Sequence, residues 1–221
     1  MNTTAVPTLK IDFVSDVVCP WCAIGLSSLE IALAKLQGEV AAELHFQPFE
    51  LNPDMGPEGA EVVPYLSKKY GMSAEQVARN QQAIAERGAA VGFEFRMDRR
   101  SRTWNTFDAH RLLHWAGEQG AAPQRALKHA LLSAYFTDGE NPGAREVLLR
   151  CAERAGLDAA RAAAVVDSPQ YAEAVRERER LYQSAGIHSV PAVIVDDRHL
   201  IQGGQPPEVF EQALRQIAAE A

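Results

Sequence analysis

Apolar and polar residues alternate over Leu9, Ile11 and Phe13 and run into Val17-Val18, the period-two pattern of a strand from Leu9 to Val18. The period then changes. Ile24, Leu29, Leu33 and Leu36 mark one face of a helix over Ala23 to Leu36, with Gly38 placed as its C-cap. Alternation returns through Leu44 and Phe46, predicting a second strand over Ala42 to Phe49, and the turn formers of Asn52-Pro-Asp-Met-Gly-Pro-Glu-Gly mark a boundary. From Val62 to about Tyr182 the pattern is helical almost throughout. Ser73 and Gln76 form a capping box that opens a helix toward Arg87. Phe107, Leu112, Leu113 and Trp115 belong to another, and helices over Gln124 to Phe136, Ala144 to Ala155 and Ser168 to Tyr182 complete the set, with Asp158 and Ser168 as candidate N-caps. After Gly186 the chain returns to strands, Ala192 to Val195 and Leu200-Ile201, around an Asp196-Asp197 turn. A last helix follows Pro206-Pro207 and ends near Ala219. Strands at both ends and helices between them predict an α/β fold: a discontinuous domain of residues 1–55 and 183–221 carrying an all-helical insertion of residues 56–182.

Composition narrows the class. The 221 residues are 47% apolar and 23% charged, the balance of an ordinary globular chain. Lys+Arg 22 against Asp+Glu 29 gives −7, mildly acidic and spread along the chain, so a nucleic-acid partner is not expected. No apolar run reaches the roughly 18 residues of a membrane span. Met1 to Lys10 lacks the basic and apolar regions of a secretory signal, which makes the cytoplasm the expected compartment.

The candidate chemistry lies at the first strand-to-helix junction, in Cys19-Pro20-Trp21-Cys22. Residues i and i+3 on a first helical turn share a face, close enough for their sulfurs to bond. Pro20 suits the first helical position, where an N–H would have no partner. Cys19 then falls at the N-cap, where the helix dipole favours a thiolate and hence an attacking sulfur, and Cys22, one turn inside, is the resolving thiol. A structural zinc site needs two further ligands at suitable spacing, and the chain has no second cysteine pair, so no metal is expected. The third cysteine, Cys151, lies in an amphipathic pattern and reads as a core thiol.

With these residues placed, the chain resembles the DsbA-like thioredoxin-fold oxidoreductases. It looks closest to their FrnE-type branch, in the superfamily of 2-hydroxychromene-2-carboxylate isomerases and kappa-class glutathione transferases. Four segments carry the resemblance: Asp12-Phe-Val-Ser-Asp-Val-Val-Cys-Pro-Trp-Cys, Pro48-Phe-Glu-Leu-Asn-Pro, Asn105-Thr-Phe-Asp-Ala-His-Arg-Leu and Ile187-His-Ser-Val-Pro-Ala-Val-Ile-Val. It implies a thioredoxin-like fold with a helical insertion and a cis peptide bond before Pro191. Pro191 is thereby set beside Cys19 and Cys22 as part of the catalytic site, with the Val190 backbone free to pair with an extended substrate. Pro20, Trp21, Val190, Asn52 and His110 are the expected substrate contacts, and Asp16 is a candidate proton relay to Cys22.

Two departures from relatives matter. DsbA proper carries a histidine where this chain has Trp21, so this disulfide is expected to be less oxidising. The isomerase and kappa-class relatives use serine in place of the first cysteine, so their activity is not simply inherited.

Simpler readings stand beside several of these. Asp16 also fits a solvated or capping residue at a strand end, and Asn52 a turn residue. His110 and His114 have i, i+4 metal-ligand spacing without the intervening glutamate of a zincin. Trp104, Phe107 and Trp115 fit the core, His188 lies close to Pro191, and Arg99-Arg100 with Arg102 reads as a solvated loop. The expected function is thiol–disulfide oxidoreduction with no tightly bound cofactor, glutathione being a candidate co-substrate. Partners are protein thiols and disulfides or glutathione, with a homodimer as the candidate assembly. The alternatives are a glutathione-dependent transferase or isomerase of a small aromatic or polyketide-like substrate, and a non-catalytic binding or holdase protein.

Overall fold

The computed structural model describes residues 6–220, so the first five residues of the N-terminal stretch considered above lie outside it. β1 (Thr8–Ser15) pairs in parallel with β2 (Ala41–Pro48), and the helix α1 (Pro20–Lys35) makes the crossover between them. From the far end of the chain β5 (Ala192–Val195) pairs antiparallel with the other side of β1, and β6 (His199–Gln202) closes the edge. The sheet order is β2-β1-β5-β6, with residues Ile11–Val14 of β1 paired on both sides. That central position explains why Leu9, Ile11, Phe13 and Val14 are all fully buried, on both faces of the strand. Asp196 and Asp197 both adopt left-handed backbone, φ 51° and 56°, in the turn between β5 and β6, as a tight primed hairpin turn requires.

Between β2 and β5 come α2 (Val62–Tyr70), α3 (Ala74–Ala90), α4 (Phe107–Gln119), α5 (Ala121–Phe136), α6 (Arg145–Arg154), α7 (Ala159–Val166) and α8 (Ala172–Ser184), and α9 (Pro207–Ala219) ends the chain. The Ser73–Gln76 capping box is formed in both directions: Gln76 N–H donates to Ser73 Oγ at 3.2 Å and Ser73 N–H to Gln76 Oε1 at 2.8 Å. Asp158 caps α7 through Arg161 N–H at 2.7 Å.

Several local expectations are corrected. β1 stops at Ser15 rather than Val18, because the chain turns through Asp16-Val17-Val18 to set Cys19 at the helix start. Gly38 lies beyond the α1 C-cap, which is Leu36. Ser168 does not cap α8. Its hydroxyl donates back to the Ala164 carbonyl, and Tyr171, at φ 63°, precedes the helix. A two-stranded pairing of β3 (Ala60–Glu61) with β4 (Arg102–Thr103) interrupts the helical region; two residues a side are too short for a period to register. Arg100 is buried rather than solvated, its guanidinium over the Tyr135 and Phe136 rings.

The main core runs without interruption from α1 and β1 into α4, α5 and α6. Among the described residues no helix is long and apolar enough to cross a membrane.

Candidate active site

Cys19 is the N-cap of α1 and Pro20 its first residue, so the helix begins inside the dithiol loop. Both cysteines are free thiols and both are buried, Cys22 completely. The Cys19 side chain caps none of the open N–H groups of α1. Its Sγ instead lies 3.7 Å from the carbonyl oxygen of Val190. The Val190–Pro191 peptide is cis, and Pro191 O accepts the Gly203 N–H at 2.8 Å, which ties the loop to the end of β6. Glycine is required where these pieces meet. A Cβ on Gly25 would come within 3.0 Å of Pro191 Cγ and 3.2 Å of Gly204 Cα, and one on Gly204 within 2.9 Å of the Trp21 carbonyl oxygen. Distant segments of the chain thus close on the dithiol through two positions where even a Cβ would crowd its neighbours.

Burial pushes the Cys22 thiol well above its ordinary range, and the neighbouring Cys19 sulfur adds to this. The Lys128 ammonium and the Asp16 backbone act in the opposite direction. Asp16 is fully buried, so it is not a solvated residue at a strand end. Its Oδ2 accepts the Leu51 N–H at 2.8 Å and its Oδ1 faces His110 Nε2 at 3.3 Å. Desolvation opposes its ionisation, but His110 and that amide outweigh it and hold the carboxyl below its usual range. Lys128 is fully buried on α5, and desolvation lowers its pKa against the opposing pull of Cys22, Asp16 and Cys19.

The remaining predicted residues divide into an outer and an inner group. Trp21 is 36% exposed, and the Arg87 guanidinium stands 5.2 Å from its ring centroid, bringing α3 against the dithiol loop. Asn52 is part-buried and its Oδ1 accepts from Tyr65 Oη at 2.5 Å and Lys69 Nζ at 2.7 Å; Lys69 also donates to the Leu51 carbonyl. His110, expected among the substrate contacts, is only 2% exposed and serves as the partner of Asp16, because the inner face of α4 packs against β2. His114 packs against Tyr171 with ring centroids 5.3 Å apart and planes tilted by 43°, His188 is exposed, and Asn105 donates to the Met55 carbonyl. Cys151 is a buried core thiol with its pKa pushed up to about 11 by desolvation. No group of three or more possible ligands able to hold a metal occurs among the described residues.

Lys128, Lys69, Arg87, Arg176 and Glu179 escaped the sequence reading. Only Lys128 left a usable signal there. It shares the helical face of Gln124, Leu127, Leu131 and Tyr135, all buried, so the pattern itself sets a lysine in the core.

A buried dithiol at a helix N-terminus, facing a cis-proline loop on the central sheet, defines the thioredoxin-fold thiol oxidoreductases as a class. Within it this chain belongs to the DSBA-like thioredoxin domain family, whose pattern matches residues 10–215. YwbO of Bacillus subtilis (strain 168), an uncharacterized protein, is 28% identical over 208 residues, 94% of this chain and 96% of its own. Among solved structures, a probable DsbA oxidoreductase of Streptomyces coelicolor superposes with a TM-score of 0.88 at 36% identity, covering 96% of this chain and 91% of that one. The cytosolic disulfide reductase DsbM of Pseudomonas aeruginosa, solved with GSH, shares the fold with a TM-score of 0.62 at 19% identity, over 95% and 99% of the two chains.

Proposed function

We propose that this protein is a thiol–disulfide oxidoreductase acting in the cytoplasm on protein disulfides or on glutathione disulfides. The observation that carries the reading is the approach of Cys19 Sγ to the Val190 carbonyl, which leaves one sulfur at the helix start beside a loop able to receive an extended chain. Cys19 thiolate attacks a substrate disulfide and forms a mixed disulfide, releasing one substrate thiol. Cys22 then loses its proton and attacks Cys19 Sγ. The second substrate thiolate leaves, and the enzyme carries a Cys19–Cys22 disulfide. Run backwards, the same steps donate the disulfide.

Burial of Cys22 makes its proton the costly one; Asp16 is the group we assign to taking it up, and the Lys128 ammonium favours the thiolate left behind. Pro20, Trp21, Val190 and Asn52 form the substrate-facing rim. No tightly bound cofactor enters this scheme. Glutathione as reductant is supported by the GSH-bound relative, and a reducing compartment drives the dithiol toward reduction of its clients.

The test is a pair of substitutions. Cys19→Ser should abolish reduction of insulin disulfides, and Cys22→Ser should accumulate mixed disulfides recoverable with their clients. Full activity in Cys19→Ser would end this reading.

A further inference from the structure

Away from the dithiol, α1, α5 and the segment that follows α3 enclose a cavity of about 590 Å³ that opens to solvent. It shares no residue with the dithiol loop, the cis-proline loop or the substrate-facing rim. Its volume falls within the range of small-molecule sites, and junctions between packed parts of a fold are a common place for them. Ile31, Val91 and Phe93 supply an apolar wall. Phe93 is held there by the Phe95 and Phe136 rings, at centroid distances of 4.7 and 6.2 Å.

The polar part of the lining is rich in acceptors. Glu30 uses one carboxylate oxygen twice: Oε1 accepts from Arg125 Nε at 2.6 Å and from His129 Nε2 at 2.8 Å. Its Oε2 takes no hydrogen bond among the described residues. A carboxylate only accepts, so this contact puts the ring proton on Nε2 and leaves Nδ1 of the neutral His129 imidazole as an acceptor. Ser27 and Ser133 also line the cavity, and neither hydroxyl is engaged within the described residues. Burial works against the charge on Glu30, but His129 and Arg125 outweigh it and hold the carboxyl below its usual range. Glu94, exposed at the rim, makes no ion pair among the described residues, and no lysine or arginine is part of the lining. Arg125 offsets the first carboxylate and nothing offsets the second, so the cavity favours positive charge and hydrogen-bond donors. A ligand carboxylate would meet Glu30 and Glu94 as like charges.

We propose that this cavity binds a small organic ammonium with an apolar body, a ligand class unconnected with the dithiol chemistry. A primary ammonium has three donors. Glu30 Oε2, His129 Nδ1 and a serine hydroxyl are the three acceptors offered to it, and Val91 and Phe93 receive the apolar body. Binding is non-covalent, and Cys19 and Cys22 take no part in it.

The test titrates the isotope-labelled, reduced full chain with phenethylamine and follows its amide resonances. Phenethyl alcohol and hydrocinnamate serve as the neutral and anionic counterparts. Saturable shifts confined to Ser27–Ala34, Val91–Glu94 and His129–Thr137 are expected with the amine. The alcohol should bind at least about ten-fold more weakly, the loss that goes with a hydrogen bond to a charged group, and the acid should leave these resonances in place. Glu30→Gln, which sets an amide where the free carboxylate was, should weaken the amine by about ten-fold or more. Should that variant fail to fold, Ala34→Trp decides, since it fills the cavity from an exposed helix position and should abolish the shifts. No saturable shift below about 10 mM amine would overturn the proposal. So would shifts centred on another part of the chain, or equal binding of the alcohol or the acid. A folded Glu30→Gln or Ala34→Trp protein that binds the amine like the wild type overturns it as well.

Discussion

Cys19 Sγ lies 3.7 Å from the backbone carbonyl of Val190, a residue 171 positions further along the chain. The contact depends on how closely α1 can approach the cis-proline loop, and that approach is set by glycine.

Gly25→Ala tests this dependence. The added Cβ would sit 3.0 Å from Pro191 Cγ and 3.2 Å from the Gly204 backbone, so the loop must yield by a few tenths of an ångström. The expected result is a loss of stability of about 1–3 kcal/mol, as for other overpacked sites, together with slower disulfide exchange. Thermal unfolding and insulin reduction, measured on the same preparation, check both.

Arg111 offers a test of the helical region alone. Its buried guanidinium donates to the carbonyls of Val165, Val166, Ser168 and Gln170 and to Asp108, binding the end of α7 and the following turn to α4. Arg111→Met would leave those carbonyls and Asp108 without their donor. A loss on the order of 3–5 kcal/mol is expected, the usual effect of removing one side of a buried charge network. Urea unfolding measures it, and the reduction potential of the dithiol should stay in place.

Lys128→Met should separate stability from chemistry. Desolvation already works against the Lys128 ammonium, which makes no ion pair among the described residues, so a methionine of similar length should raise stability by about 1–3 kcal/mol. The same change removes the cation that assists ionisation of Cys22, so mixed disulfides should persist longer. A higher melting temperature with slower resolution is the expected pair of results in calorimetry and quenched-flow sampling.

The sheet and the dithiol were legible in the sequence because their signals are local or strongly patterned: alternation around Phe13, a proline at the helix start, a capping box at Ser73. The cis bond before Pro191 was legible by resemblance, since no periodicity encodes it. What escaped depends on side chains from distant segments meeting in the core. His110 looks like a cleft residue beside Asn105 until its partner, 94 positions away, is found to be buried Asp16. Arg176 and Glu179 sit in a charged run, Arg176-Glu-Arg-Glu-Arg, that reads as a solvated helix face. Only the packing of α8 against the end of β2 turns part of that run inward toward Glu50. Charge runs carry no mark of which member will be covered.

The reduction potential of the Cys19–Cys22 pair, read by alkylation and mass spectrometry across glutathione buffers, tests the central claim most directly. The account predicts one two-electron transition between about −220 and −320 mV, within the span of cytosolic thiol poise. A midpoint near −120 mV, the range of a strong disulfide donor, or the absence of any two-electron transition, would contradict it.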